Sequence, residues 1–594
     1  MNGSDVPASL RHFTVRLPVT AGWVHAATGV DLDLPAGQVT AVVGESGCGK
    51  STLLAALTGT LPSGARTGGT VQITRRHPHT EAEWAALRGS GITAMPAPAS
   101  TGLSPTSTVG RQLGQVLSMA TRSARTRKSA GTADIPHSVE SLLRLVELDP
   151  VVAELYPHQL SGGMAARALL AATVAAEPAV LLCDEPTAAL DHDTAAGILR
   201  LLRHLADTGM AVALVTHDLD QLDETRVADS VAVMYAGRIV EHCSSDTLFA
   251  AGPSLHPYAR ALLESLPRRG FRPIPGLPPE LTNLDPAHTF DTRIEAQPIY
   301  AQGIHGTGIR GTGISGTGIS GTDGAPRPAA PRRPTLAADG LTIGHGNQDP
   351  LLRDFSLTLR GGTITGLAGR SGVGKTTLAR SLAGLHLPHS GTVRVAGATF
   401  DASARPGGVF GHDVALLFQS PRQAVDPSMT VRELIAEPIT GRRRLRRRDT
   451  ATATRVEELA VRVGLTGDLF GRQPAQLSDG QLQRVCLARA MAQNPRVLLC
   501  DEATAMLDAA STAAIAALIT DLVRHGLDAG DAEPLAVLAI SHDRALLDAW
   551  ADETITIGDE AARTSRVRTS RTRTSPTTAP DLAPDVERPV TAQR

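Results

Sequence analysis

GESGCGKST, from Gly44 to Thr52, and GRSGVGKTT, from Gly369 to Thr377, share the pattern G-x-x-x-x-G-K-[ST]. Each follows a β-rich apolar run, Val39 to Val43 or Ile364 to Ala368, and opens an amphipathic helical run, LLAALTG or LARSLAG. Strand, glycine loop and helix start form a unit in which Gly44, Gly47 and Gly49, or Gly369, Gly372 and Gly374, let backbone N–H groups converge on phosphate oxygens. Lys50 and Lys375 are placed to reach the β- and γ-phosphates of a nucleotide. Ser51 and Thr376 are placed to ligate Mg2+, with Thr52 and Thr377 beside them in the helix start. A single such loop could be a mere glycine-rich turn; a second in register removes that reading. The lysines sharpen the point. The 57 basic residues are 54 Arg and only Lys50, Lys128 and Lys375, so Lys is kept where a compact, flexible ammonium is wanted.

The order downstream repeats as well. SGGM begins at Ser161 and SDGQ at Ser478, each after Gln-Leu. A glutamate follows at the same spacing in both halves, Glu185 in AVLLCDEPT and Glu502 in RVLLCDEAT. Asp191 and Asp508 come next, and then an apolar strand ending in His217 (VALVTHD) or His542 (VLAISHD). A repeat of this length means tandem domains. In LLCDE a buried strand delivers two adjacent carboxylates, and period-two alternation is expected to point them apart. Asp184 and Asp501 are assigned to the Mg2+ shell, and Glu185 and Glu502 to polarising an attacking water.

Together these motifs resemble, over about four fifths of the chain, the tandem nucleotide-binding domains of ATP-binding cassette proteins. The resemblance implies an α/β fold of two P-loop NTPase domains, each with a RecA-like core, an antiparallel β subdomain and a helical subdomain. It implies that Glu185 and Glu502 are general bases and that His217 and His542 are switch histidines at the γ-phosphate. Gln419, in LLFQSPRQAVDP, matches the loop glutamine that faces Mg2+ and water. The signatures Ser161, Gly162, Gly163 and Ser478, Gly480, Gln481 each open a helix whose N–H groups favour an anion. The family resolution is head-to-tail pairing, in which each signature closes over the other domain's P-loop, with Asp191 and Asp508 along the interface. Fusion makes that partner intramolecular.

The halves differ. Ala97 falls where Gln419 sits, so the first Q-loop reads as degenerate, and Asp479 replaces a signature glycine. Leu17 and His345 occupy the place of an adenine-stacking aromatic. Site one is thus expected to bind ATP and hold the pair closed, while site two carries most turnover.

The string HPYARALLESLP…IPGLPP is similar to the C-terminal extension of ATPases from oligopeptide, dipeptide and nickel importers, although no cysteines follow it. This implies two membrane permease subunits, an external solute-binding protein and a place at the cytoplasmic face of the membrane. A soluble tandem cassette ATPase acting on ribosomes or DNA is the alternative, opposed by a Gly/Pro-rich linker without zinc modules. Net charge is −2 with 20% charged residues, so no basic field points to nucleic acid. Five scattered cysteines show no metal spacing. The N-terminus lacks a signal pattern, and no run supplies about 20 lipid-facing residues. The domains are expected at 1–268 and 335–560. The stretch 269–334 is read as extension and a flexible linker of Gly-Thr-Gly-Ile repeats. GRRRLRRRDT (Gly441 to Thr450) reads as a solvated charged helix and 561–594 as a disordered tail.

Overall fold

The computed structural model describes residues 5–19, 22–96, 102–126, 138–188, 190–276, 278–285, 288–295, 334–346, 349–370, 372–401, 410, 412–441, 450–526, 534–558 and 569–571. Ala97, the Gly-Thr-Gly-Ile linker and the arginine run at 442–449 lie outside these residues.

In the first half, β1 (Ala8–Val19), β2 (Gly22–Leu34), β3 (Val39–Val43), β4 (Arg66–Ile73), β5 (Ile92–Met95), β6 (Val180–Asp184), β7 (Ala211–Val215), β8 (Ser230–Tyr235) and β9 (Arg238–Ser244) form two sheets. One is antiparallel, in the order β2-β1-β4; the other runs β5-β6-β7-β3-β8-β9. Its strands are parallel except for the last, antiparallel one. VTAVV in β3 and AVALV in β7 are buried at every position. Continuous apolar runs of this kind belong to a sheet covered on both faces. Each Val or Leu taken from water contributes about 1.5–3 kcal/mol.

The second half repeats the plan with β10 (Pro334–Ile343), β11 (Leu352–Arg360), β12 (Ile364–Gly369), β13 (Ser390–Val395), β14 (Ala398–Asp401), β15 (Val414–Leu417), β16 (Val497–Asp501), β17 (Ala536–Ser541), β18 (Glu553–Ile557) and β19 (Thr569–Arg571). The antiparallel sheet is β11-β10-β13-β14, and the larger sheet, β15-β16-β17-β12-β18-β19, has the same strand order as its counterpart. Helices Val109–Thr126, Val139–Leu145 and Gly162–Val174 form a layer beside the first sheet; Val431–Thr440, Thr450–Arg462 and Asp479–Met491 do so in the second half. In both sheets the P-loop leaves the carboxyl end of a central strand, β3 or β12. That edge is where ligands bind in open α/β sheets. Among the described residues no helix is long and apolar enough to cross a membrane.

Two boundaries differ from expectation. The tail is not wholly irregular: β19 pairs antiparallel with β18, Glu553 opposite Arg571 and Ile555 opposite Thr569. It caps the edge that β9 caps in the first half, where an open row of N–H and C=O groups would otherwise face water. The Pro-rich exit also stays with the first domain beyond 268. Ile274 and Phe290 are buried in its core, Val24 pairs with Thr282, and Phe290–Glu295 forms a short helix.

Candidate functional site

The two P-loops are built alike. Gly49 and Gly374 precede their helices, Lys50–Thr58 and Lys375–Leu382, with φ of 110° and 98°. An L side chain avoids that region, and a Cβ at Gly49 would meet the Ala26 carbonyl oxygen at 2.1 Å. At Gly47 and Gly372 a Cβ would meet nothing within 4 Å, so each loop encloses an open cradle. The buried Lys50 Nζ donates to the carbonyls of Gly44 and Glu45 at 2.7 and 3.0 Å. Lys375 Nζ donates to Gly369 and Arg370 at the same distances and lies 3.5 Å from Glu502 Oε1. Thr376 Oγ1 donates to Asp501 at 3.3 Å, and in the first half the Ser51 hydroxyl stands by Asp184 and draws its carboxyl down. Each carboxyl is raised above its usual value, chiefly by burial.

The adjacent carboxylates diverge for a reason other than strand alternation. β6 and β16 end at Asp184 and Asp501, and the next residues, Glu185 and Glu502, adopt left-handed φ of 46° and 49°. This backbone is costly for a non-glycine residue and collects at functional sites. Each is pinned by its amide, Glu185 to the Val215 carbonyl at 2.9 Å and Glu502 to that of Ile540 at 3.0 Å. His217 Nδ1 sits 3.0 Å from Glu185 Oε1, and His542 Nδ1 3.4 Å from Glu502 Oε1. Burial is the largest effect on each glutamate and opposes its charge, but the histidine bond, the histidine's charge and the nearby Lys50 or Lys375 together outweigh it, so both fall below the usual carboxylate range and both histidines rise. Gln419 Nε2 donates to Glu502 Oε2 at 3.2 Å. Site two thus gathers Lys375, Gln419 and His542 around the Glu502 carboxylate.

The domains meet across both loops, but not in the same way. The Ser46 amide donates to Asp508 Oδ2 of the second half at 3.0 Å. A cavity of about 230 Å³ beside it is lined by Ser46 and Gly47 together with Ser478, Gly480 and Gln481. The second signature therefore faces the first P-loop. Ser478 caps helix Asp479–Met491 by accepting from the Gln481 amide at 3.2 Å, and Ser161 caps Gly162–Val174 from Met164 in the same way. A larger cavity, about 760 Å³, holds Gly372, Gly374, Lys375, Thr376, Thr377, Gln419, Glu502 and His542. On the first domain's side it is lined by Glu185, Leu190, Asp191 and His217, and Ser161, Gly162 and Gly163 are not among its walls. Head-to-tail closure thus brings signature and P-loop together around site one and not around site two.

Asp479, the acid in a signature, turns from the cavity. Arg422 Nε donates to its Oδ1 at 2.9 Å, and the same guanidinium reaches the carbonyls of Pro474 and Leu477. Its carboxylate is thereby held within its own domain and is not on the wall of the cavity at site one. His345 lines the larger cavity with Nε2 3.4 Å from Thr377 Oγ1, whereas Leu17 is half-buried against the first domain's core.

Two residues that sequence reasoning passed over also reach the first P-loop, both at Glu45. The Glu45 amide donates to Tyr258 Oη at 3.1 Å, and Tyr258 comes from the HPYARALLE helix. Arg293 holds Glu45 through two bonds, 2.6 and 3.1 Å, with the side chains 3% and 5% exposed. Burial raises the Glu45 carboxyl while Arg293 draws it back. The signal was a carboxylate inside a phosphate loop, where Arg370 stands in the other copy: a buried Glu45 demanded a cation.

The ABC transporter family pattern matches residues 27–188 and 352–505, which include both P-loops and both LLCDE strands. The chain belongs to the ABC transporter family. It is an ATPase. This ABC protein is 33% identical over 561 residues to the oligopeptide transport ATP-binding protein OppD of Mycobacterium tuberculosis, covering 88% of each chain. It is 32% identical over 550 residues to the glutathione import ATP-binding protein GsiA of Salmonella typhimurium, covering 88% of this chain and 80% of that one. An archaeal ribosome recycling factor, solved in complex with a ribosomal stalk protein, superposes with a TM-score of 0.53 at 20% identity, covering 92% of this chain and 87% of that one. That likeness shows the fold alone.

The interface of this ABC protein carries a pH-dependent element. Asp220, on the wall of the larger cavity, is pushed up to about 6 by burial and by Asp218 and Asp543, the latter from the second domain. Arg268 pulls it down and Glu224 pushes it up. A carboxyl raised by burial and like charges favours its protonated form, so its contribution is present at low pH and is lost as pH rises through about 6. Thermal melting is expected to show Asp220→Asn stabilising the chain at pH 7.5 and leaving it unchanged at pH 4. A stabilisation equal at both pH values would contradict this.

Proposed function

We propose that this chain is the energising subunit of an importer for peptides or a related small solute. The supporting observation is the match across both domains and the connecting extension to ATP-binding proteins named for oligopeptide and glutathione import. Two ATP molecules are taken at the two P-loops, and closure and hydrolysis drive two separate membrane permease subunits, supplied by an external solute-binding protein. The chain works at the cytoplasmic face of the membrane.

The hydroxyl–carboxylate pairs Ser51 with Asp184 and Thr376 with Asp501 offer the hard oxygen donors that Mg2+ takes, and Gln419 stands beside the second. Bound there, Mg2+ supplies positive charge to the phosphate oxygens. Glu502 accepts a proton from water held between it, Gln419 and His542. Lys375 and the loop amides take the charge that develops on the transferred phosphoryl group. Glu185 and His217 are the matching groups at site one.

Calorimetric titration with MgATP is expected to saturate at two nucleotides per chain, and at one in Lys50→Ala or Lys375→Ala. Turnover should rise when the chain joins membranes carrying its permeases. Saturation at zero or one in the wild type would defeat the two-site reading, and stimulation by ribosomes instead of permeases would defeat the importer.

A further inference from the structure

The segment from Ile274 to Arg293 does more than leave the first domain. Its middle is stitched to β2: the His25 amide donates to the Leu281 carbonyl at 2.8 Å, and Asn283 and Trp23 exchange bonds of 2.8 and 3.1 Å. Its far end places Arg293 on Glu45 inside the first P-loop, with Nε and Nη2 also donating to the carbonyls of Pro275 and Gly276. Between these anchors, Glu280 crosses to the second domain and pairs with Arg472 at 2.9 Å. Arg472 stands just before the second signature, and Pro278, Pro279, Glu280, Arg472 and Ser478 share the walls of the cavity at site one. Around site two, among the described residues, no comparable segment spans P-loop and signature, and Arg370 replaces Glu45.

We propose that this segment is a strap across composite site one, in which Arg293 positions the first P-loop through Glu45 and Glu280 holds the second signature against it through Arg472. The strap retains nucleotide at site one through cycles in which site two opens and closes. Arg293 is a positioning residue: it acts on the loop, not on the reacting atoms. A buried, bidentate pair fixes loop geometry in a way a single exposed bond does not, and an anchor on each partner raises the local concentration of one for the other. The inference rests on the two-site reading above.

The test measures release of a fluorescent ATP analogue with Mg2+ from the full chain, chased by unlabelled ATP. Lys375→Ala confines the probe to site one and Lys50→Ala confines it to site two. In the site-one chain, Glu280→Arg is expected to speed release about threefold or more, and adding Arg472→Glu with Asp468→Asn, which restores the pair with its charges exchanged and neutralises the carboxylate that Arg472 also meets at 3.1 Å, to slow it again. Glu45→Gln with Arg293→Met removes the buried tether without stranding a charge and should speed release about tenfold. In the site-two chain, Glu280→Arg should leave release unchanged. If the buried double variant fails to fold, the surface exchange decides alone. Unaltered site-one release with two analogues bound to the wild type would overturn the strap and leave the two-site ATPase intact; a wild-type chain that binds none would remove both. Equal acceleration at both sites would overturn the strap as well.

Discussion

Glu502→Gln is expected to lower ATP turnover of the assembled transporter by about two to four orders of magnitude, the range a positioned general base supplies. Glu185→Gln should leave a substantial part of turnover. The difference follows from what surrounds each carboxylate. Glu502 is met by Gln419 on one oxygen and by His542 and Lys375 on the other. The P-loop it serves, on the larger cavity that both glutamates line, is not closed by a signature. Glu185 has His217, but the residue at the Gln419 position in its half is Ala97. Its P-loop already gives the Ser46 amide to Asp508 and is braced by Arg293. Site two is therefore expected to carry the repeated chemistry and site one to hold nucleotide. Phosphate release measured in proteoliposomes with the permeases present distinguishes them, and equal losses from the two substitutions would refute the asymmetry.

The largest effect on stability is expected at Arg293. Arg293→Ala leaves Glu45 buried without its cation, and breaking a buried pair in this way costs about 3–5 kcal/mol. In a domain of this size that lowers Tm by roughly 10 °C. The sign of the pH dependence follows from the same carboxyl. Glu45 is already raised by burial, with Arg293 opposing, and losing Arg293 raises it further. A group raised in the folded state stabilises when protonated and loses that contribution as pH climbs through its folded value. The deficit should therefore be small in acid and grow above the ordinary carboxylate range, and Glu45→Gln in the same chain should recover most of it at pH 8. A deficit independent of pH would show that lost packing, not stranded charge, is the cause.

Much of the site was legible because its chemistry is written in contiguous runs. A P-loop, an Asp-Glu at a strand end and a histidine after a Val-rich strand are each local, and Lys50, Asp184, Glu185 and His217 converge because strand order brings β3, β6 and β7 side by side. What escaped joins distant positions. Ser46 and Asp508 lie 462 residues apart, and Glu45 and Arg293 lie 248 apart. No periodicity registers such a pair. The exit read as Pro-rich and irregular because its bonds run to β2 and the P-loop, not to a ladder of its own. The divergence of Asp184 and Glu185 was foreseen with the wrong cause: alternation needs a strand, and the strand stops one residue early. The first signature shows a different limit. Ser161 to Met164 has the composition of a phosphate-capping helix start, and composition says nothing of how far the opposite loop lies from it.

The brace between Arg293 and Glu45 also bears on how the chain is made. Domains emerge from the ribosome in order, and at about 5–20 residues per second the roughly 200 residues separating Arg293 from Asp508 take on the order of 10–40 s to appear. During that interval the first domain has no second domain to accept the Ser46 amide. It does have Tyr258 and Arg293, both already synthesised, to hold the glycine loop in shape. A nascent first half is thus expected to keep its phosphate loop in shape, and ATP taken there would stabilise it before its partner domain exists.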